Sequence, residues 1–219
     1  AGATLGSPVL AEFTHQAFLT LADGAAAQVQ AVAGPDEGDG RRALTVRSRT
    51  GGAAWVVHGT GMLGRPETAP AGVDHTPRPS GGTAWPPAGA EPIDVDAVNA
   101  VLADMGFGYG PVFSGLRRAW RTGSTVHSEV ELPAGTDVRP FQLHPGLLDA
   151  VLQVFAAEAL DGEDRQLRVP FAWTGVTLHG AGATSVRVEL TVRTPETMAI
   201  RITGADGRPV ATVDALQSR

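Results

Sequence analysis

The stretch that decides the fold is His144-Pro145-Gly146-Leu147-Leu148-Asp149-Ala150-Val151-Leu152-Gln153-Val154-Phe155-Ala156-Ala157-Glu158-Ala159-Leu160. Pro145 suits a first helical position, where no backbone N–H has to be bonded. On a helical wheel Leu147, Leu148, Val151, Leu152, Val154, Phe155, Ala156 and Ala159 cover most of the circumference, and a helix that apolar is buried. The pattern predicts one long helix over 144–160, wrapped by a sheet. Asp149 and Gln153, one turn apart, share a face beside Leu152 and Ala156. A carboxyl in such surroundings is costly unless it is hydrogen-bonded or protonated, and burial raises its pKa toward a value useful to a general acid. The same spacing fits a helix-edge Asp that reaches solvent or caps a loop, and periodicity does not choose between the two.

Outward from this helix the chain alternates. Upstream, Gln28 to Val32, Leu44 to Arg47 and Trp55 to Val57 show period-two patterning between Asp23-Gly24, Pro35 to Gly40 and Gly51-Gly52, which predicts short antiparallel strands and turns. Between 64 and 92 lie seven prolines, several glycines and no apolar period, the composition of a linker. A short helix from Val95 to Met105 follows, with Asp94 as its N-cap and Gly106 closing it. Strands are expected on either side of Gly123, then Val186 to Val192, Met198 to Ile202 and, after an Asp206-Gly207 hairpin, Val210 to Leu216. This divides the chain into 1–63, a linker at 64–92, and 93–219. Strands, one buried helix and more strands describe an α+β hotdog fold, in which a curved antiparallel sheet encloses a central helix. The first part has comparable strands and no such helix.

Composition sets limits. The 219 residues carry a net charge of -6 with 42% hydrophobic and 18% charged residues, a globular balance. There is no Cys, which removes disulfides, thiolate nucleophiles and Cys-bound zinc. All 17 basic residues are Arg, a mark of GC-rich, actinobacterial-type codon usage more than of chemistry. An acidic chain argues against a nucleic-acid surface. No apolar run reaches the length of a membrane span and the first ten residues lack a signal-peptide pattern, so the expected location is cytoplasmic. Arg117, Arg118 and Arg121 around Trp120 form the densest basic segment; strand-surface charges and contacts to an acidic partner both fit it.

Two further segments are dense in rings and turn formers. Phe107-Gly108-Tyr109-Gly110-Pro111-Val112-Phe113 reads as a turn packing rings into a core, or as one placing the Tyr109 hydroxyl in a cavity. Val169-Pro170-Phe171-Ala172-Trp173 allows the same two readings. In chain order, Tyr109 to Phe113, His144 to Gln153 and Val169 to Trp173 resemble the YGPxF, HPxLLDAxxQ and LPFxW segments of dehydratase domains from modular type I polyketide synthases, with Val169 in place of the usual Leu. The likeness extends over nearly the whole chain, including Trp85-Pro86-Pro87, which is similar to the family's inter-hotdog linker.

That resemblance implies a double hotdog, its first hotdog incomplete, acting on a β-hydroxyacyl chain held on the phosphopantetheine arm of an acyl carrier protein. The implied reaction is a syn-type elimination of water that leaves an enoyl thioester. Asp149 is implied as the acid, Gln153 as its orienting partner and Tyr109 as a hydrogen-bonding wall residue, with Pro111, Phe113, Pro170, Phe171 and Trp173 against the substrate. No metal or organic cofactor is implied, because the thioester acidifies the α-proton and an acid and a base suffice. The implied partners are the carrier protein and other synthase domains, with a homodimer possible.

The family's base belongs to an HxxxGxxxxP motif that this sequence lacks. After His58 the two diagnostic positions hold Met62 and Glu67, after His15 Leu19 and Gly24, and after His75 Pro79 and Ala84. Three readings follow: a dehydratase whose base lies outside the sequence, so that this chain alone is inactive; a degenerate dehydratase-like scaffold; and an unrelated hotdog thioesterase or small-molecule binding module.

Overall fold

Where apolar and polar residues alternate, the computed structural model forms strands; it describes residues 2–66, 84–159 and 169–219. In order these are β1 (Val9–His15), β2 (Ala27–Ala33), β3 (Arg42–Thr50), β4 (Val56–Gly64), β5 (Glu91–Ile93), β6 (Leu116–Thr122), β7 (Thr125–Glu131), β8 (Pro170–Leu178), β9 (Ser185–Thr194), β10 (Thr197–Gly204) and β11 (Pro209–Ser218). Helix α1 (Val95–Asp104) precedes β6, and α2 (Pro145–Gln153) lies between β7 and β8. Two compact units result, and neither is contiguous in sequence. Ala1–Asp74, Val169–Thr177 and Val213–Arg219 form the first; His75–Arg168 and Leu178–Thr212 form the second.

In the first unit β2, β3, β4, β1 and β8 lie in that order, with the end of β11 beyond β8. The pairing is antiparallel, with Phe13 opposite Gly61 of β4 and opposite Trp173 of β8. The Val169 and Arg219 main chains exchange hydrogen bonds of 3.0 and 3.1 Å where β8 and β11 meet. Among the described residues this unit has no α-helix, and Val29, Val32, Val56 and Val57 of its sheet are exposed.

The second unit orders the start of β11, then β10, β9, β7, β6 and β5. Val126, Val130, Val188, Leu190, Ile200 and Ile202 are all buried in its core. Helix α2 packs against β6, β7 and β9, burying Leu147, Ala150 and Val151 completely. Full burial of a side chain such as Leu147 stabilises by about 1.5–3 kcal/mol, so this face fixes how α2 is rotated about its axis. Among the described residues no helix is long and apolar enough to cross a membrane.

Both helix starts follow from sequence. The Asp94 carboxylate accepts from the N–H groups of Asp96 and Ala97, opening α1. Its other end closes with the Phe107 N–H on the Leu102 carbonyl and Gly106 at φ +89°, a left-handed turn that releases the chain into the aromatic segment. The 144–160 helix needs correction. It is α-helical only through Gln153, and residues Val154–Ala159 tighten into a 3-10 helix; Leu160 is outside the described residues. The apolar run that suggested one long helix carries no period change to mark that tightening, which is common at helix C-termini.

Candidate active site

The site is built on the first turns of α2. His144 is the N-cap, its Nδ1 accepting from the Gly146 N–H at 3.0 Å, with the Phe141 ring edge-on at 4.8 Å. Gly146 is needed where it stands: a Cβ there would lie 2.5 Å from the Val112 carbonyl oxygen, so the helix backs directly onto the 107–114 segment. Asp149 follows in the next turn, half-buried, and burial pushes its carboxyl above the usual range. The Gln153 Nε2 donates to Asp149 Oδ2 at 3.0 Å, which opposes part of that rise. Gln153 itself is only 3% exposed, and its Nε2 also donates to the Phe113 carbonyl at 2.6 Å. Two acceptors, one on the helix and one on the facing turn, therefore fix the amide.

That facing turn is formed by the Phe113 N–H on the Gly110 carbonyl, reinforced by the Ser114 N–H and hydroxyl on the same oxygen. Phe107 and Tyr109 stack with parallel rings, centroids 5.6 Å apart. The Tyr109 phenol is pushed up to about 12 by burial and by the Asp149 carboxyl, and a hydrogen bond with the Gln153 side chain works against both. Tyr109, Asp149 and Gln153 thus form one electrostatically coupled group. Pro111 and Phe113 lie on the outside of the same turn, and Phe113 is 40% exposed.

Pro170, Phe171 and Trp173 belong to β8 in the first unit. The Arg219 guanidinium lies 4.1 Å over the Phe171 ring, and the Trp173 indole N–H donates to His15 Nε2 at 3.1 Å. Burial, assisted by Arg219, holds His15 below the ordinary imidazole range. His58 is held at both nitrogens: a carbonyl can only accept, so Nδ1–H donates to Ala17 at 3.0 Å and Nε2 faces the Ser48 hydroxyl at 2.7 Å. His179 meets the Thr212 hydroxyl at 3.1 Å, and His127 is buried edge-on to Trp85. His75 lies outside the described residues.

Two contributors were not legible beforehand. The main-chain oxygen of Phe113 has no residue signature, and His144 is a cap where Asn, Asp or Ser is the usual signal. The arginine segment has charged partners within its own sheet: Arg117 with Glu131 at 3.9 Å, and Arg118 with Glu129 at 2.5 Å. A groove of about 250 Å³ runs beside them, lined by both signs of charge, including Arg187.

A family model described as the polyketide synthase dehydratase N-terminal domain matches residues 77–219. The chain belongs to the polyketide synthase dehydratase family. Phenolphthiocerol synthesis polyketide synthase type I Pks15/1 of Mycobacterium marinum is 40% identical over 221 residues, covering 100% of this chain and 10% of that protein. Erythronolide synthase EryA2 of Saccharopolyspora erythraea is 42% identical over 224 residues, covering 100% of this chain and 6% of that one. The chain spans a tenth or less of the length of these relatives, which are multidomain polyketide synthases. A solved chain from work on dehydratase substrate selection for the borrelidin and fluvirucin polyketide synthases superposes with a TM-score of 0.86 at 37% identity, covering 100% of this chain and 76% of that chain. The erythromycin dehydratase crystal structure superposes at 0.83 with 39% identity, covering 100% and 77%. These dehydratase neighbours bear out the hotdog class expected from the strand, helix and strand pattern.

Proposed function

We propose that this chain supplies the acid side of a dehydratase active site that eliminates water from a β-hydroxyacyl thioester carried by an acyl carrier protein. In that reaction a base takes the α-proton, the C–H electrons form the new double bond, the β C–O bond breaks, and the leaving oxygen takes the Asp149 proton to depart as water. Such a role needs a carboxyl that is protonated near neutral pH. The observation that carries the reading is Asp149 itself: half-buried, raised, and held by Gln153 in the group that includes Tyr109. Gln153 aims the carboxyl, and Tyr109 offers a hydroxyl at the edge of the same group.

The base is then supplied by polypeptide outside these 219 residues. The sequence lacks HxxxGxxxxP, and four of its histidines are engaged at a ring nitrogen: His15 by Trp173, His58 by Ala17 and Ser48, His144 by Gly146, and His179 by Thr212. The elimination draws on acid and base groups alone, without metal or organic cofactor. On this reading the chain works in the cytoplasm, beside the carrier and other domains of a synthase, as a monomer or dimer that sedimentation would distinguish.

Two constructions of the experiment test it. With a pantetheine 3-hydroxyacyl substrate, mass spectrometry of this chain alone shows no loss of water. A longer synthase segment bearing the HxxxGxxxxP histidine shows it, and Asp149→Asn lowers that activity by about 10²- to 10⁴-fold with the fold intact. Full activity in the Asp149→Asn form would remove the acid assignment, and no loss of water from the longer segment itself would leave the scaffold reading.

A further inference from the structure

We propose that His144 is a positioning residue for Asp149: by accepting the Gly146 N–H at Nδ1, it fixes the first turn of α2 in the arrangement that sets the carboxyl against Gln153 and Tyr109. Its importance rests on the reading of Asp149 as the acid; its substance rests on geometry.

Three anchors hold this segment. Gly146 backs onto the Val112 carbonyl, and Gln153 bonds the Phe113 carbonyl, tying α2 to the facing turn on both sides of Asp149. The third is the His144 ring, which binds the Gly146 N–H and packs edge-on against Phe141 in the segment leading into the helix. Helix α2 has only nine residues before the 3-10 turn. Short helices are marginal on their own, and an uncapped end leaves four N–H groups without intrahelical partners. A first turn that frays leaves little α-helix to hold Asp149, and admits water to a carboxyl whose state depends on water being excluded.

The choice of imidazole is informative beside α1, where Asp94 caps in the ordinary way. At α2 a carboxylate cap would place a negative charge near the Asp149 carboxyl, which the proposed role holds protonated. A neutral imidazole supplies the acceptor without that charge, and its flat ring adds the Phe141 contact.

The test uses this chain as it is. In the wild type, long-range ¹H–¹⁵N NMR at pH 8 reads the His144 tautomer; the Nε2–H form is required, and an Nδ1–H form overturns the proposal. Carboxyl ¹³C titration then follows Asp149 in His144→Leu, which has no acceptor, and in His144→Asn, which restores one. The Leu form is expected to move the Asp149 midpoint at least halfway back to the ordinary carboxylate value, while the Asn form stays near wild type. Equal midpoints in the two variants overturn the proposal, since a purely structural residue would lower the Tm without separating them. Should His144→Leu fail to fold, His144→Ala takes its place, and the wild-type tautomer decides by itself if that fails too. An unmoved Asp149 midpoint removes His144 and spares the acid assignment. Undiminished activity of Asp149→Asn in the longer dehydratase removes the acid assignment and spares the titration result.

Discussion

Gln153 and Phe113 lie 40 residues apart in sequence and are joined by the 2.6 Å bond from the Gln153 amide to the Phe113 carbonyl. The same amide reaches Asp149, so one side chain sets the distance between the acid and the turn that carries Tyr109. Gln153→Leu keeps most of the volume and removes the donor. Because the Gln153 bond lowers the Asp149 pKa against the effect of burial, the Leu form should raise the carboxyl midpoint further. Leaving the Phe113 carbonyl without its donor should cost about 1–3 kcal/mol. Carboxyl ¹³C titration and urea unfolding would measure both; a midpoint that falls would contradict the described geometry.

The raised Asp149 also has a stability signature. A carboxyl whose folded pKa lies above its unfolded value binds more protons in the native state, so its contribution is intact below about pH 4 and is lost as pH rises through the folded value. Asp149→Asn should therefore raise the Tm at pH 7, and the gap should close as the pH is brought to 4. Calorimetry across that range checks the sign, and a variant less stable at pH 7 would reverse it.

His15 behaves in the opposite sense. Its folded pKa is lowered by burial and by Arg219, so the native state resists its protonation. The associated stability is present above the unfolded value, about 6.5, and is lost as pH falls through it. The Trp173 indole can only donate, so protonated His15 has no lone pair to offer it. His15→Gln retains an acceptor that does not titrate, and should show a shallower fall in Tm between pH 8 and 5.5. Part of the slope will persist, because His127 and His179 are also held low. Parallel curves for the two proteins would count against the assignment.

Gly175 tests the packing of the first unit. It has φ +62°, and a Cβ there would fall inside the Asp214 carboxylate, whose residue is 5% exposed. Gly175→Ala combines backbone strain with overlap in a buried place and should cost at least ~2 kcal/mol. Gly182→Ala, at φ +78° with open space around it, should cost about 1 kcal/mol from the backbone alone. Urea unfolding of both separates the two terms; equal losses would remove the Asp214 contribution.

Elements whose cause is local were readable in advance. Asp94 and Gly106 bound α1, Pro145 opens α2, and the four-residue spacing put Asp149 beside Gln153. Strand β1 was not among the strands read from the sequence, since its bulge between Leu10 and Glu12 breaks the alternation. Strand β8 was noticed for its rings and not as a strand, as it begins on Pro170, where a proline is admissible only at the first position. The arginine segment shows the limit of composition. Its charges face glutamates on a neighbouring strand, a register fixed by pairing and invisible in the run itself.

The non-contiguous first unit also governs the order in which this polypeptide can mature. Strands β1 to β4 pair among themselves, but the far edge of β1 has no neighbour until β8 has been made, and the far edge of β8 has none until residues 213–219 have followed. Cutting within 64–92 would therefore not liberate a finished piece. On the ribosome, that edge of β1 must wait through the synthesis of more than 150 residues for Trp173, with its outward main-chain groups open to competing strands meanwhile.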